Sequence, residues 1–379
     1  MNSSVGLQGA PIALPYESYV AQMLGWNIPA EHIELVHSHW RGYEAPSKYW
    51  HYWFAFMYFC IMIMSCLGNG IVLWIFATTK SLRTPSNMFV VNQALLDLLM
   101  MIEMPMFVLN SLFYQRPIGW EMGCDIYALL GAVSGIGSAI NNAAIAYDRY
   151  RTISFPLDGR LQFGHALAFI VGVWSWAMPF SLLPLLKVWG RYVPEGLLTT
   201  CSFDYLTDDE DTKVFTASIF TWSYAFPLCL IVFFYCKLFK QVRLHEKMLQ
   251  EQARKMNVKS LQTNQDVAQK SVEIRIAKVA FTIFFLFLCS WTPYATVAMI
   301  GAFGNRALLT PMSTMIPALF SKIVSCIDPW IYAINHPRFR GELLKRAPWF
   351  GVEELKSSDV SSIGTDRTTA TAAIETPAA

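Results

Sequence analysis

Seven long apolar segments dominate the sequence and restrict the folds open to the chain. They cover residues 51–78, 87–113, 124–154, 164–186, 214–240, 275–302 and 311–334. A helix needs about 20 apolar residues to cross a bilayer, so each segment is long enough to span. Only 15% of the residues are charged, whereas soluble domains carry about 25%. We therefore predict an all-α membrane protein, built as a seven-transmembrane helix bundle.

The basic residues of the loops predict the orientation of this bundle. With the N-terminus outside, 21 of the 29 Lys and Arg residues lie on the cytoplasmic side and seven on the extracellular side. Cytoplasmic loops carry the excess of Lys and Arg, so the N-terminus is predicted to be extracellular. The inner membrane face accounts for these charges, and we expect no nucleic-acid partner. The predicted organisation is an extracellular tail (1–49), the seven-helix domain (50–335), a short amphipathic eighth helix (336–346) and a disordered cytoplasmic tail (347–379).

One lysine, Lys322, lies in the middle of the last apolar segment, Pro311–Asn335. At 1.5 Å per residue it is roughly 16 Å from either end, and a charge there costs about 2.5–3.5 kcal/mol on insertion scales. A lysine that reaches the membrane surface would have to lie near a helix end. Two interpretations remain: a buried ion pair, or a desolvated, nucleophilic amine that condenses with an aldehyde.

Two of the eight cysteines, Cys124 and Cys201, are placed on the extracellular side. The other six fall inside the apolar segments, where free cysteine behaves as a small hydrophobic residue. The extracellular compartment is oxidising, so we predict a disulfide between Cys124 and Cys201.

The triplet Asp148-Arg149-Tyr150 follows Cys124 by 24 residues, about 36 Å of helix. The cysteine thus marks the outer end of the third segment and the triplet marks its inner end. A DRY triplet at this depth resembles the G-protein-coupled receptor family. Asp148 can neutralise Arg149, and Glu273 is a second possible partner. The alternative is a solvated helix end with no switching role.

Further polar and aromatic residues match the same receptor family. Asn69, Asp97 and Asp328 are the polar members of the first, second and seventh segments, and they predict either a network that rearranges on activation or static interhelical contacts. In the sixth segment Trp291 precedes Pro293, which removes a backbone hydrogen bond and kinks the helix. The remaining switch positions that the resemblance implies are Tyr235, Pro329 and Tyr332.

A closer resemblance is carried by three stretches of sequence. They are FSK at 320–322 with DPWIY at 328–332, GRYVPEG at 190–196, and TTCSFDY at 199–205. The chain is similar to animal opsins, and above all to insect short-wavelength visual opsins. The resemblance implies that Lys322 carries retinal as a Schiff base, either 11-cis retinal or 11-cis 3-hydroxyretinal. It also implies a lid over the ligand at 190–205, with Trp291 as the ligand sensor and Pro293 as the hinge.

The residue expected to stabilise the charge of this Schiff base is Glu195, in the lid. Vertebrate visual opsins place a glutamate three residues after the helix 3 cysteine, where this chain has Tyr127. A phenol is neutral at pH 7 and cannot be the counterion. Glu103 and Asp97 are alternative carboxylates, because the sequence gives no distances.

The second segment also bears on colour. Insect ultraviolet opsins carry a lysine at the position that we match to Met104, and a second cation disfavours protonation of the Schiff base. The resemblance therefore predicts a visible pigment of the blue-sensitive branch. An ultraviolet-absorbing opsin is the alternative.

The predicted function is that of a photoreceptor in the rhabdomeric plasma membrane, not an enzyme, with no metal site. Light-driven isomerisation would stimulate a heterotrimeric G protein of the Gq class, a choice that rests on His245-Glu246-Lys247. Arrestin and a receptor kinase are the other expected partners, with phosphorylation in the Ser/Thr-rich tail and a glycan at Asn2. The rival functions are a receptor for a diffusible ligand, a retinal-driven ion pump and a retinal photoisomerase.

Overall fold

The computed structural model describes residues 22–155, 158–255, 264–335 and 337–348, except for some side chains in the fifth, sixth, seventh and eighth helices. These residues form seven long helices, as the sequence predicts. The helices are α1 (Lys48–Thr78), α2 (Pro85–Tyr114), α3 (Trp120–Ser154), α4 (Phe163–Leu185), α5 (Glu210–Phe220 continuing through Thr221–Ala225 into Phe226–Lys255), α6 (Asn264–Phe303) and α7 (Pro311–Asn335).

Shorter elements complete the chain. The helix α8 (Pro337–Arg346) follows α7 directly, where the sequence predicts an amphipathic helix. An antiparallel hairpin of β1 (Tyr192–Glu195) and β2 (Thr200–Phe203) lies between α4 and α5. Short helices occur at Ala30–Leu35, Ser38–Arg41, Lys80–Leu82 and Arg306–Leu308.

The bundle is arranged around α3, which packs against α2, α4, α5 and α6, while α7 packs against α6 and α1. Small residues permit the close approaches. A Cβ atom at Gly137 of α3 would lie 2.7 Å from Leu96, and one at Gly68 of α1 would lie 2.7 Å from Pro329. Because α5 packs against α3 and α6, whereas α7 packs against α6 and α1, helices α5 and α7 lie on opposite sides of the bundle with α3 and α6 between them.

Large apolar side chains also point outward from the bundle. Leu67, Phe113, Val171 and Phe285 are all more than half exposed. Six of the described helices are long and apolar enough to cross a membrane by length and composition, and α7 completes the bundle. Such an apolar surface would favour aggregation in water, whereas in a membrane it contacts the hydrocarbon chains of the lipids.

Part of the predicted extracellular tail is folded against the helix bundle. Residues 22–47 fold back over the extracellular face, and Trp40 is completely buried there. His39 Nε2 hydrogen-bonds the Leu309 carbonyl at 2.7 Å, and the Tyr43 hydroxyl donates to the same carbonyl at 3.0 Å. This contact ties the segment to the loop between α6 and α7.

Candidate functional site

A cavity with an empty volume of about 1010 Å³, part of it open at the mouth, lies in the extracellular half of the bundle. Helix α7 and the end of α2 line one end of the cavity, and α5 lines the other. The β1–β2 hairpin forms its roof, and Trp291 lines its inner part. Concave, mainly apolar sites with a few polar side chains take small ligands or cofactors.

Lys322 points into this cavity and pairs with the carboxylate of Glu103. Both side chains are buried: Lys322 is 7% exposed and Glu103 is 0% exposed. Glu103 sits where α2 is interrupted, between Pro85–Ile102 and Met104–Leu109, because Pro105 follows in the next turn. A Cβ atom at Gly131 of α3 would lie 2.8 Å from Glu103 Oε2, so the glycine makes room for this carboxylate.

Tyr127 and Met104 have different relations to Lys322. The Tyr127 ring lines the cavity with its centroid 5.9 Å from Lys322 Nζ, and its hydroxyl has no hydrogen-bond partner among the described residues. Met104 is fully buried in the core between α1, α2 and α7 and is not part of the cavity wall. The α2 residue that reaches Lys322 is therefore Glu103, one position before Met104.

The roof of the cavity is fixed to α3 by the predicted disulfide. Cys124 and Cys201 are joined at an S–S distance of 2.06 Å, with their Cα atoms 5.3 Å apart. Cys201 pairs with Pro194 across the hairpin, and Glu195 pairs with Thr200. The covalent link therefore holds the strand that carries Glu195 over the cavity.

Glu195 is buried in this roof and is held by two tyrosines. Tyr205 donates to its Oε2 at 2.8 Å, and Tyr294 of α6 donates to its Oε1 at 3.1 Å. Burial raises the pKa of Glu195 to about 7, while the two tyrosine hydrogen bonds and the charge of Lys322 oppose that shift. Glu195 thus senses Lys322 through space but does not contact it.

A second acidic residue, Asp204, anchors the base of the hairpin. It accepts hydrogen bonds from Arg191 Nε at 2.9 Å, from the Thr207 hydroxyl at 2.6 Å and from the backbone N–H groups of Leu206 and Thr207 at 2.9 and 3.0 Å. Burial alone would raise the pKa of Asp204, but these hydrogen bonds together lower it below its ordinary value. The carboxylate is therefore charged at neutral pH and holds the strand ends together.

Trp291 lies against α3 at Gly135, where a Cβ atom would be 2.5 Å from the indole ring. Pro293 lies inside α6, two residues later. The indole therefore lines the cavity next to the proline-interrupted part of α6. The structure therefore brings the predicted sensor and the predicted hinge together.

At the cytoplasmic end, Asp148 and Arg149 form an ion pair in which both side chains are buried. Asp148 also accepts a hydrogen bond from Ser86 Oγ of α2 at 3.0 Å. Tyr150 stacks on Phe234 of α5 at 6.0 Å. These side chains pack within the protein, unlike those of a solvated helix end.

A polar cluster lies between the cavity and this end. Asn69 donates to the Ser325 carbonyl of α7 at 2.9 Å, and Asp97 accepts from Gln93 at 3.3 Å. Asp328 is buried close enough to Asp97 for their charges to interact. Nearby, Tyr235 is buried against Phe281 and Phe284 of α6, so the predicted switch positions lie at helix–helix contacts.

Several predicted residues lie outside the described part of the chain. These are Asn2, the Ser/Thr-rich tail, and the side chains of His245, Glu246, Glu273 and Tyr332. Lys247 is described and is exposed. Within the described part of the chain, no group of three His, Cys, Asp or Glu side chains could hold a metal ion.

Sequence reasoning did not identify Tyr205, Tyr294 and Gly131 as part of the site. Tyr294 lies one helical turn after Trp291, and this spacing alone could have placed it on the cavity side of α6. Tyr205 and Gly131 left no such signal, because their roles depend on how the hairpin and α2 fold against α3. Only the three-dimensional structure brings these residues to Glu195 and Glu103.

Comparison with known proteins places the chain in a family. Residues 68–332 match the family described as "7 transmembrane receptor (rhodopsin family)". Opsin-2 of Schistocerca gregaria is 69% identical over 362 residues, covering 94% of this chain and 95% of the relative. The blue-sensitive opsin of Apis mellifera is 60% identical, covering 93% and 94%, and the ultraviolet-sensitive opsin of the same species is 52% identical, covering 91% and 93%.

The solved structures agree with this assignment. The crystal structure of squid rhodopsin superposes with a TM-score of 0.80 at 30% identity, covering 88% of this chain and 97% of the squid chain. The predicted seven-helix architecture is thereby confirmed. The chain belongs to the rhodopsin family of seven-transmembrane receptors, which are receptors rather than enzymes, and within it to the insect visual opsins.

Proposed function

We propose that this opsin binds retinal at Lys322 and, on absorbing light, activates a G protein of the Gq class. The observation that carries the proposal is a buried amine that lines a roofed cavity, with one carboxylate in contact and a second in the roof. Burying an ion pair costs desolvation free energy, and a chain with no ligand to attach at Lys322 would gain nothing that offsets it. Family membership is consistent with the same reading.

The residues around Lys322 fit an aldehyde ligand. Condensation forms one C=N bond at Lys322 Nζ and releases one water molecule. The amine must first lose a proton, and the Glu103 carboxylate is in place to accept it. When bound, retinal supplies a polyene that absorbs light and changes shape about a double bond. The protein supplies the closed roof, the nearby negative charge and the indole of Trp291.

Two carboxylates compete for the role of counterion. Contact in the structure favours Glu103, whereas the resemblance to other invertebrate opsins favours Glu195. Glu103 places a carboxylate in contact with Lys322, and Glu195 adds a negative charge in the roof when it is ionised. A nearby negative charge favours a protonated linkage and absorption in the visible. This supports the blue-sensitive assignment over the ultraviolet one, as does the higher identity to the blue-sensitive bee opsin.

The cytoplasmic side of the proposal rests on the Asp148–Arg149 pair and on Pro293. Pressure on Trp291 would move α6 about Pro293 and open a cleft beside Arg149 for the G protein. The Gq class, arrestin, a receptor kinase and the rhabdomeric membrane are inferred from the opsin resemblance. They complete the expected signalling cycle.

Reconstitution tests the proposal directly. The purified chain is mixed with 11-cis retinal in the dark, and an absorption band in the blue is expected that is absent from the Lys322→Ala variant. Illumination should then stimulate nucleotide exchange on a Gq-class protein and not on a Gi-class protein. A band confined to the ultraviolet would favour the alternative colour. Light-driven turnover of all-trans retinal without nucleotide exchange would favour a photoisomerase.

A further inference from the structure

A second concave region of the bundle is a groove on its outer surface, between α1, α2 and α4. It has an empty volume of about 1010 Å³, part of which is open to the surroundings of the bundle. Most of its lining is apolar, and Leu95 of α2 and Phe163 of α4 lie partly exposed along it, at 44% and 54%. The proposed attachment of retinal uses none of these residues.

The position of this groove along the helices corresponds to one leaflet of a membrane. It begins at the α1–α2 loop, where Thr84 lines it, and ends at Leu95. These eleven positions of α2 correspond to about 16 Å of helix, which is half of the roughly 30 Å thickness of the hydrocarbon core. With the N-terminus outside, the α1–α2 loop is cytoplasmic. The groove therefore faces lipids of the inner leaflet over the length of an acyl chain.

Arg83 lies at the loop end of the groove. Of the described side chains that line the groove, this is the one that carries a charge. The guanidinium donates a hydrogen bond to the Ala77 carbonyl near the end of α1, which fixes its position and leaves most of its N–H donors available. The side chain is exposed. A positive charge is thus held where an apolar groove meets the cytoplasmic surface.

The other polar side chains of the groove are paired within the protein. The Thr84 hydroxyl accepts from the Asn87 N–H at 3.3 Å, and the Asn87 side chain donates to the Leu82 carbonyl at 2.8 Å. Asn92 donates to Asn141 and accepts from Trp174, both at 3.0 Å. Arg83 is therefore the group in the described lining that is best placed to bind a polar headgroup.

We propose that this groove binds one anionic phospholipid of the inner leaflet, with the phosphate at Arg83 and one acyl chain between α1, α2 and α4. A guanidinium binds phosphate oxygens in a bidentate arrangement. Lys80, in the same loop, is also exposed and adds a second positive charge, which favours a headgroup with a net negative charge. A sterol would offer no charge to Arg83, and a free phosphate would leave the apolar groove unfilled.

Photocrosslinking at a mapped position tests this proposal. The ligand-free, full-length chain is reconstituted into phosphatidylcholine vesicles that contain equal trace amounts of phosphatidylserine and phosphatidylcholine probes. Both probes carry the same photoreactive acyl chain, and an isotope label distinguishes them. After illumination, crosslinks to residues 73–95 are measured by mass spectrometry. We expect the phosphatidylserine probe to be favoured there about 5-fold. Both probes are compared within one sample, so the ratio does not depend on the yield of protein.

Variants of Arg83 test the headgroup contact. Arg83→Gln keeps a polar side chain and removes the charge, so the ratio at 73–95 should fall towards equal labelling. Arg83→Lys keeps the charge without the bidentate geometry and should retain part of the preference. Arg338→Gln removes the same charge from an exposed position on α8, outside the groove lining, and should leave the ratio unchanged.

A bulky side chain tests the acyl-chain contact. Ala77→Trp places an indole in the groove and keeps the carbonyl that holds Arg83, so crosslinks of both probes to residues 73–95 should fall several-fold. Leu67→Trp adds the same side chain at an exposed position of α1 outside the groove and should not reduce them.

The outcomes decide the proposal without reference to retinal, because the protein carries no ligand during the test. Equal labelling by the two probes in the natural chain, or an unchanged ratio in Arg83→Gln, overturns the headgroup contact. Undiminished crosslinking in Ala77→Trp overturns the acyl-chain contact. Loss of both phospholipid crosslinks when cholesterol is added to the vesicles would assign the groove to a sterol instead.

Discussion

Glu103 and Glu195 are two buried carboxylates at one cavity, and they differ in what surrounds them. Glu103 contacts the Lys322 ammonium in a wall formed by helices. Glu195 is in the roof and is satisfied by hydrogen bonds from Tyr205 and Tyr294. The first carboxylate is stabilised by an opposite charge and the second mainly by neutral donors. Removing Lys322 should therefore affect Glu103 far more than Glu195.

The difference also indicates two ways to place negative charge near one cation. A carboxylate in contact interacts strongly, but it depends on its partner for stability. A carboxylate held by tyrosines keeps its position whatever happens to the cation, and its charge acts over a longer distance. A ligand that changes shape at Lys322 would disturb the Glu103 contact first.

The largest effect is expected from Lys322→Ala, which leaves Glu103 buried and unpaired. Breaking a buried pair from one side typically costs about 3–5 kcal/mol. The double variant Lys322→Ala/Glu103→Gln should recover most of this loss in the ligand-free protein, whereas Lys322→Ala/Glu195→Gln should not. Thermal unfolding in detergent at pH 8 measures the difference. Equal unfolding temperatures for the single and both double variants would contradict the pairing.

The next effect concerns the pigment. In Glu103→Gln, loss of the contacting charge should move the pH at which the visible band converts to an ultraviolet band downward by about 1–3 units. Glu195→Gln should move this midpoint less, because its charge is farther from Lys322. An absorbance titration measures both midpoints. A larger shift in Glu195→Gln than in Glu103→Gln would indicate that Glu195, in the roof, is the counterion. Met104→Leu, a buried neighbour outside the cavity wall, is the matched control and should leave the midpoint unchanged.

Much of this comparison could not be predicted from the sequence. The seven helices followed from apolar length, and Lys322 stood out because a charge at the bilayer centre demands an explanation. The Cys124–Cys201 pair followed from the predicted orientation. These features depend on composition and spacing along one segment at a time, which the sequence records directly.

The choice between Glu103 and Glu195 depends instead on contacts between segments. The interruption of α2 before Pro105 directs Glu103, and not Met104, towards Lys322. Gly131 provides the space for the carboxylate, and Tyr205 and Tyr294 hold Glu195 away from contact. None of these contacts produces a periodic pattern or a motif in the sequence. Both carboxylates could therefore be identified as candidates from the sequence, but their distances from Lys322 could not be compared.

A smaller effect should appear in the pH dependence of the ligand-free protein. The pKa of Glu195 is raised to about 7 by burial, against about 4.3 for an unfolded chain. The folded state therefore binds this proton more tightly, and stability should fall as pH rises from about 4.3 to about 7, by up to about 4 kcal/mol. Glu195→Gln should flatten this part of the profile. Unfolding temperatures at pH 5 and pH 8 measure the effect, and a natural chain equally stable at both would contradict it.

The smallest effect is expected at the base of the roof. Arg191 is 55% exposed, so losing its pair with Asp204 in Arg191→Ala should cost at most about 1 kcal/mol. The loosened hairpin should change the surroundings of Glu195 but not the Lys322–Glu103 contact, which lies in the helices. We therefore expect the visible band of reconstituted Arg191→Ala to stay in place while the pH profile governed by Glu195 shifts. Lys213→Ala, which removes an exposed pair with Asp208 near the same loop, should change neither. A shift of the visible band in Arg191→Ala would indicate that Glu195, in the roof, shares the counterion role with Glu103.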